Sequence, residues 1–167
     1  MNEHWEVRTA RAADAAQIAR LSGLLGYPSD AVAILARLAD VSANADHWVT
    51  VAAAASAPNT PAGALPDEHV TLGGWMHVAR RITLESGEFA EILGLVVDTE
   101  ARRAGVGRLL AAAAERWARV QRLGRLTVRS NVTRAESHQF YPALGFARVK
   151  LQQVYSKVLG AHAAGAA

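Results

Sequence analysis

The feature that most constrains this chain is the junction between an apolar run at 92–97 and an amphipathic run that begins near residue 105. The first run is rich in β-branched residues and predicts a strand, whereas the apolar positions from Val106 to Val120 recur at helical spacing. Gly105 and Gly107 stand where the two runs meet and allow a tight turn. A strand, a glycine turn and a helix in this order indicate an α/β domain.

The turn itself, Arg102-Arg103-Ala104-Gly105-Val106-Gly107 followed by Arg108, predicts an anion-binding site. A helix begins with unpaired N–H groups and about half a positive charge, so a phosphate there gains hydrogen bonds and roughly 0.3–2 kcal/mol from the dipole. The arginines would add to this attraction. The same residues also suit a solvated basic turn in which the glycines only reverse the chain, and the segment alone does not decide between the two.

Composition excludes several kinds of chemistry. The chain of 167 residues has no cysteine, so it forms no disulfide, no thiolate zinc site and no cysteinyl intermediate. Its six histidines lack metal-ligand spacing, and neither HExxH nor GxSxG occurs, so we expect no metal. A net charge of +3 without interleaved aromatic and basic residues makes nucleic acid an unlikely partner. No run is long enough to span a bilayer and no secretory pattern opens the chain, so a cytoplasmic location without membrane contact is expected.

Hydrophobic periodicity predicts a strand, two helices and three further strands before the junction. Ser29 or Asp30 is expected to cap the second helix. A proline-containing connection, Ser56 to Glu68, is expected between the second and third strands. The predicted strands are Trp5–Thr9, Trp48–Ala52, Val70–Ala79 and Glu88–Val97, and the predicted helices are Ala12–Leu25 and Ala31–Asp40.

After the junction we predict a helix from Gly105 to Leu123 with Gly124 at its C′ position, and a fifth strand over 125–130. Thr133 and Glu136 have the spacing of a capping box for a fourth helix, which Pro142 should end near residue 141. Residues 147–159 predict one or two closing strands. The predicted architecture is one mixed α/β domain over 1–160, with a flexible tail at 161–167.

Two segments together resemble the GNAT family of acetyl-CoA-dependent N-acetyltransferases. One is the Arg/Gln-x-x-Gly-x-Gly/Ala pattern, matched by Arg102, Gly105 and Gly107. The other is Asn131 with the run Phe140-Tyr141-Pro142-Ala143-Leu144-Gly145-Phe146. The resemblance covers nearly the whole domain. It implies a mostly antiparallel sheet whose fourth and fifth strands splay apart, with about four helices.

The resemblance also implies where acetyl-CoA, the expected cosubstrate, binds. Its pyrophosphate would lie on the N–H groups of the glycine turn, and its pantetheine between the splayed strands. Asn131 would meet the pantetheine arm, although an asparagine there would also suit a local turn. The implied cofactor-binding residues are Leu95, Val96, Val97, Arg102, Arg103, Ala104, Gly105, Val106, Gly107, Arg108, Asn131 and Tyr141.

Glu91 is the candidate general base, because Phe89-Ala90-Glu91-Ile92 resembles the strand in which GNAT histone acetyltransferases carry a catalytic glutamate. An alkylamine of pKa near 10.4 must lose a proton before it attacks, at a cost of about 4.6 kcal/mol at pH 7. In a strand without a bulge, Glu91 shares its face with Leu93, Leu95 and Val97, and desolvation there would raise its pKa. Alternatively, it is an exposed strand-end glutamate like Glu88.

Tyr141 is the candidate general acid, because the family commonly places a tyrosine here to protonate the departing CoA thiolate. A phenol remains protonated at neutral pH. The alternative is an aromatic residue that fills the core beside Phe140. Ser130, His138, and the pair of Trp75 and His77 on one face of the third strand are weaker candidates.

The expected function is transfer of acetyl to a primary amine by direct attack, with a small-molecule acceptor favoured over a protein. Two alternatives stay open: a non-catalytic acyl-CoA-binding or regulatory domain, and a protein N-acetyltransferase. The expected partners are acetyl-CoA, an amine acceptor and, in a homodimer, a second copy of the chain.

Overall fold

The computed structural model describes residues 4–55 and 70–159. The predicted connection at 56–68 and the predicted tail at 161–167 lie outside these ranges. The contacts divide the chain into two compact units, Met1–Arg129 and Ser130–Ala167, which we describe separately. The strands are β1 (Trp5–Thr9), β2 (His47–Ala54), β3 (Leu72–Thr83), β4 (Gly87–Val97) and β5 (Leu126–Val128). The helices are α1 (Ala15–Leu24), preceded by a 3₁₀ turn (Ala12–Asp14), α2 (Ala31–Ser42), α3 (Val106–Val120) and α4 (Ala135–Ala143).

The strands form a mixed sheet in the order β1-β2-β3-β4-β5. The first four are antiparallel to their neighbours, and β5 is parallel to β4. This confirms the predicted mixed α/β class. In the described residues β5 pairs with β4 only from Ala90 to Ile92, although β4 continues to Val97. The pairing ends there because β5 itself ends at Val128, so the β4 edge from Leu93 to Val97 has no β5 partner in the described residues.

A β-bulge interrupts β4 at Leu93. His77 of β3 is paired with Gly94 and Val78 with Ile92, so Leu93 is an extra residue in the ladder. One extra residue reverses the alternation of side chains beyond it. The shared face of Glu91 with Leu93, Leu95 and Val97 was predicted for a strand without a bulge, and the bulge instead places Leu95 and Val97 on the face opposite Glu91.

The register gives two distinct faces of the sheet around β3 and β4. Glu91, Gly94 and Val96 of β4 lie on the face of Trp75, His77 and Ala79. We call this the α1–α2 face, because Val96 and Trp75 pack there with Ile18, Leu21 and Leu38 of those helices.

The opposite side, the α3 face, carries Leu95 and Val97 with Gly74 and Met76. A Cβ on Gly74 would lie 3.2 Å from the side chains of Val106 and Leu110, and 2.4 Å from the Val96 carbonyl oxygen. Glycine is required here because α3 lies directly on the sheet. The close contact fixes the start of α3 beside the end of β4.

The C-terminus of α3 differs from the prediction. The helix ends at Val120, and Arg122 rather than Gly124 takes the left-handed C′ conformation, with φ 59°. The Leu123 N–H donates to the Ala118 carbonyl at 2.9 Å and the Arg122 N–H to the Arg119 carbonyl at 3.0 Å, which is a Schellman motif. Its hydrogen bonds end the helix before the glycine.

Of the predicted N-terminal caps of the other helices, the one on α2 is confirmed and the one on α4 is wrong. Asp30 caps α2 and accepts from the Ala33 N–H at 2.7 Å, which confirms one of the two candidates. The predicted capping box at Thr133 is wrong, since α4 begins after Arg134 and no side chain caps it. Thr133 instead bonds to Asn131. Pro142 lies inside α4, which ends at Ala143.

The predicted closing strands are also wrong. Residues 147–159 form no helix or strand. The large apolar side chains of this segment are 71–94% exposed. They fall at both odd and even positions, so no single face of the segment is apolar, and a strand without a packed face is weakly favoured. The exposed large residues are Val149, Leu151, Val154, Tyr155, Val158 and Leu159.

Candidate active site

The glycine turn has the geometry of an anion cradle. Gly105 is the N-cap residue of α3 with φ 81°, and Arg103 also has a left-handed φ of 67°. In the described chain, the N–H groups of Val106, Gly107 and Arg108 have no backbone acceptor, as expected for a first helical turn. The turn that carries these N–H groups is largely exposed. The exposed residues of the turn are Arg102, Arg103, Ala104, Gly105 and Arg108.

Asp98 holds the start of this turn. Its Oδ2 accepts from Arg20 Nη2 of α1 at 2.6 Å, and its Oδ1 from the Glu100 N–H at 3.2 Å. Its own N–H donates to the Gly73 carbonyl at 2.8 Å. Burial opposes ionisation, but the hydrogen bond and charge of Arg20, with backbone N–H donors, hold the pKa of Asp98 below its usual value. The anion is therefore the stable form of this carboxyl.

Glu91 is buried on the α1–α2 face, with 3% of its surface exposed. This excludes the alternative of an exposed strand-end glutamate. Its Oε1 lies 2.9 Å from Arg129 Nε and its Oε2 lies 3.3 Å from Arg81 Nε. The sequence predicted apolar surroundings and missed both guanidinium groups. Arg129 directly follows β5, so Glu91 and Arg129 meet where the pairing of β4 with β5 ends.

Two histidines share the α1–α2 face with Glu91. His47 Nδ1 lies 2.9 Å from His77 Nε2, so one ring donates and the other accepts. Burial, together with the nearby His47 ring, lowers the pKa of His77 from 6.5 to about 4. His77 is therefore uncharged at neutral pH. The predicted shared face of Trp75 and His77 is confirmed, and a Cβ on Gly94 would lie 2.8 Å from the Trp75 ring.

The second unit carries Asn131 and Tyr141. Tyr141 is half-buried, and its ring makes edge contacts with Phe140 and Phe146 at centroid distances of 5.1 and 5.5 Å. Burial raises the pKa of Tyr141, against an opposing effect of the Arg134 charge, so its hydroxyl stays protonated at neutral pH. Asn131 Oδ1 accepts from the Thr133 N–H at 3.1 Å and from its hydroxyl at 3.0 Å. That oxygen serves the local turn. His138 is exposed.

The described residues contain neither a metal-binding group nor a membrane-spanning helix. No group of three or more histidine, cysteine, aspartate or glutamate side chains within 4–55 and 70–159 is arranged to hold a metal ion. No helix in those ranges is long and apolar enough to cross a membrane.

Comparisons with known proteins identify the family. The profile of the acetyltransferase (GNAT) family matches residues 33–146, so this chain belongs to the GNAT family. No curated protein matches the sequence.

Several solved structures share the fold. The aminoglycoside N-acetyltransferase AAC(6')-Iy in complex with CoA superposes with a TM-score of 0.76 at 19% identity, over 94% of this chain and 97% of that one. An acetyltransferase from Trypanosoma brucei gives 0.69 at 23% identity, over 92% and 100% of the two chains. Glucosamine-6-phosphate N-acetyltransferase from Arabidopsis thaliana gives 0.71 at 15% identity, over 92% and 99%.

Proposed function

We propose that this protein transfers the acetyl group of acetyl-CoA to a primary amine of a small molecule by direct attack. The observation that carries the proposal is the combination of an exposed anion cradle at α3 with an edge of β4 that extends beyond the end of β5 and has no partner strand in the described residues. Both are built on β4, one at its end and one along its edge. A CoA thioester has the matching parts, a pyrophosphate and an extended pantetheine arm.

The cradle fits the pyrophosphate because the first N–H groups of α3 have no backbone acceptor in the described chain. The N–H groups of Val106, Gly107 and Arg108 lack backbone acceptors and point out of the helix, where the dipole favours negative charge. Arg102, Arg103 and Ala104 complete the turn. A GNAT structure with CoA bound is among those that share this fold.

The unpaired edge of β4 fits the pantetheine arm, because β4 beyond Ile92 has no β5 partner in the described chain. We propose that the backbone of Leu95, Val96 and Val97 forms hydrogen bonds with the pantetheine amides. The Leu93 bulge lies at the point where the pairing of β4 with β5 ends and disrupts the β3–β4 ladder. The thioester would lie beside it, next to Glu91.

Glu91 is the proposed base. The acceptor ammonium gives one proton to Glu91, directly or through a water molecule, and its nitrogen lone pair then forms the new bond to the thioester carbonyl carbon. Each oxygen of the carboxylate faces one arginine, and a carboxylate has about four lone-pair positions, so acceptor capacity remains. Buried donors and acceptors fixed in this way favour a defined orientation of the amine.

Tyr141 is the proposed acid. As the carbon–sulfur bond breaks, its hydroxyl gives a proton to the departing thiolate, and the resulting phenolate takes up the second proton that the attacking nitrogen loses, directly or through solvent. Its raised pKa supports this role, since the group is protonated when transfer begins. Asn131 is proposed to contact the pantetheine arm through its amide N–H₂, because its oxygen serves the turn at Thr133.

The experiment is an amine panel with detection of the released CoA thiol. We expect acetyl-CoA binding by calorimetry and thiol release with at least one small amine. Binding without release by any amine or peptide would favour the acyl-CoA-binding domain, and release with peptides alone would favour a protein N-acetyltransferase. Absence of acetyl-CoA binding would overturn all three functions.

A further inference from the structure

Two arginines contact the buried Glu91 on the α1–α2 face, and a third lies over the ring of Phe89 on the same face. Arg81 and Arg129 lie against its two oxygens, at 3.3 and 2.9 Å. The guanidinium carbon of Arg125 lies 4.6 Å from the centroid of the Phe89 ring. Phe89 is paired with Arg81 in the register, so it lies on the same face. We call Arg81, Arg125 and Arg129 the arginine cluster.

The accessible charge of this cluster is positive. The side chains of Arg81 and Arg129 are 48% and 67% exposed, whereas that of Glu91 is 4% exposed. Arg125 is exposed as well. One buried carboxylate cannot neutralise three guanidinium groups. A molecule that approaches Glu91 therefore meets cations first.

The other ion pair of this hairpin does not offset that charge. Arg80 and Glu88 form a salt bridge with each other. The register places Arg80 opposite Ala90 and Glu88 opposite Ile82, on the α3 face. The excess positive charge on the α1–α2 face stays where the acceptor would approach the thioester.

The net positive charge of the arginine cluster favours binding of some amines over others. A polycationic amine would be repelled, because like charges at short range disfavour binding. A planar guanidinium matches a carboxylate or a phosphate and forms paired hydrogen bonds with it. An acceptor with both an amine and an anion would satisfy the cluster while Glu91 receives the ammonium.

We propose that the acceptor is an amine that also carries an anionic group, a carboxylate or a phosphate, bound by Arg81, Arg125 and Arg129. The inference rests on the proposed function and names its substrate class. Arg125 is part of the cluster although it does not contact Glu91. Its observed contact is with the ring of Phe89. The cluster is distinct from the CoA cradle, because it lies at the β3–β4 hairpin end of β4 and the cradle follows the other end.

The first test uses amines that differ only in the anion. The pairs are phosphoethanolamine with ethanolamine, glucosamine 6-phosphate with glucosamine, and lysine with cadaverine, with kanamycin as a polycation. We expect kcat/KM for the anionic member to exceed that of its partner by about 10-fold or more, and the ratio to fall as salt rises. Preference for the phosphate or the carboxylate pair identifies the anion.

The second test uses the variants R81Q, R125Q and R129Q, with R119Q as the control. Arg119 is an exposed arginine of α3 paired with Glu115 at 3.1 Å, away from the cluster. Each cluster variant should raise KM for the anionic amine about 10-fold and leave the Kd for acetyl-CoA unchanged. R125Q keeps both contacts of Glu91, so its effect cannot come from an unpaired buried carboxylate.

Failures of the two proposals give different results. Acetyl transfer to amines without an anionic group, or to polycationic amines, at equal or higher kcat/KM overturns the anionic acceptor and keeps the acetyltransferase. Without turnover, calorimetric titration of the CoA-saturated protein with each amine pair still tests the cluster: tighter binding of the anionic member, lost in R125Q, supports it, and equal binding overturns it.

Discussion

Asp98 and Arg20 join the glycine turn to helix α1 through a hydrogen-bonded ion pair of 2.6 Å. The carboxylate is buried and the guanidinium is about half exposed, so the pair connects the interior to the surface. The other oxygen of Asp98 accepts from the Glu100 N–H inside the turn. Asp98 therefore joins the start of the glycine turn to α1.

Loss of this pair should weaken cofactor binding more than catalysis. In D98N we expect KM for acetyl-CoA to rise about 10-fold with kcat within about 2-fold, and the free energy of unfolding to fall by about 1–3 kcal/mol. R20Q should show the same split with a smaller loss. Steady-state kinetics and urea unfolding measure both quantities, and a fall in kcat alone would contradict a positioning role.

The pH dependence of this pair has a definite sign. Because the pKa of Asp98 is below its unfolded value of 3.8, its contribution is present above pH 3.8 and is lost as the pH falls through the folded pKa. D98N should therefore differ most from the parent protein above pH 4 and converge with it in acid. Unfolding curves from pH 2 to 7 test this, and a constant difference would be inconsistent with it.

Glu91 should be required for proton transfer. In E91Q we expect kcat to fall on the order of 10²-fold or more, because the amide cannot accept the ammonium proton. E88Q, at an exposed position of the same strand, is the matched control and should keep full activity. Thiol release measures both variants, and an unchanged kcat in E91Q would remove the base assignment.

Tyr141 should affect departure of the thiolate and not binding. In Y141F we expect kcat to fall on the order of 10²-fold with the Kd for acetyl-CoA unchanged. Since the pKa of Tyr141 is raised above 10, activity of the parent should not decline through tyrosine ionisation below pH 10. F140L tests simple packing, and equal losses in F140L and Y141F would favour a structural role.

His77 should make the fold sensitive to mild acid. The unfolded residue binds a proton below about pH 6.5 and the folded residue only near pH 4, so stability falls as the pH drops between these values. The ring is partly exposed, so water screens the effect and we expect a loss of about 1–2 kcal/mol. H77F should flatten this dependence, whereas H138Q, on an exposed helix position, should retain it. Urea unfolding at pH 4.5 and 7 distinguishes them.

Gly105 should be sensitive to any side chain. Its φ of 81° is left-handed, so G105A should cost about 1 kcal/mol in stability and weaken acetyl-CoA binding as the turn shifts. G23A is the opposite control, since Gly23 lies inside α1 with open space around its Cβ position, and alanine there should stabilise by about 0.5–1 kcal/mol. Thermal unfolding and calorimetry measure the two effects.

The elements near the junction could be predicted because their causes are local. The β-branched run before Asp98 and the helical period after Gly105 fix a strand and a helix without distant contacts. The end of α3 could not, since backbone hydrogen bonds within its last turn place Arg122 in a conformation usually left to Gly124. The predicted strands over 147–159 followed propensity alone, and a strand also needs a partner.

The candidate site depends on register, which the sequence does not reveal. Glu91 and the cradle were recognised from motifs. Arg81 lies in β3 and Arg129 directly follows β5, so the two are far apart along the chain and meet Glu91 only when the sheet is formed. The pairing of His47 with His77 has the same origin. In the sequence, each of these contacts appears only as a charged or polar residue in or beside a strand. Such a residue does not reveal its partner until the position of the neighbouring strand is known.

Because of the bulge at Leu93, the length of β4 determines which of its side chains lie on which face of the sheet. Removal of that single codon would restore regular alternation and turn Glu91 away from the face that holds Arg129, or else turn Leu95 and Val97 away from α3. No substitution at Leu93 has this effect, because the bulge depends on an extra residue at this position and not on which amino acid it is. Proteins with this sheet would therefore tolerate many amino acids at this position and yet keep the insertion.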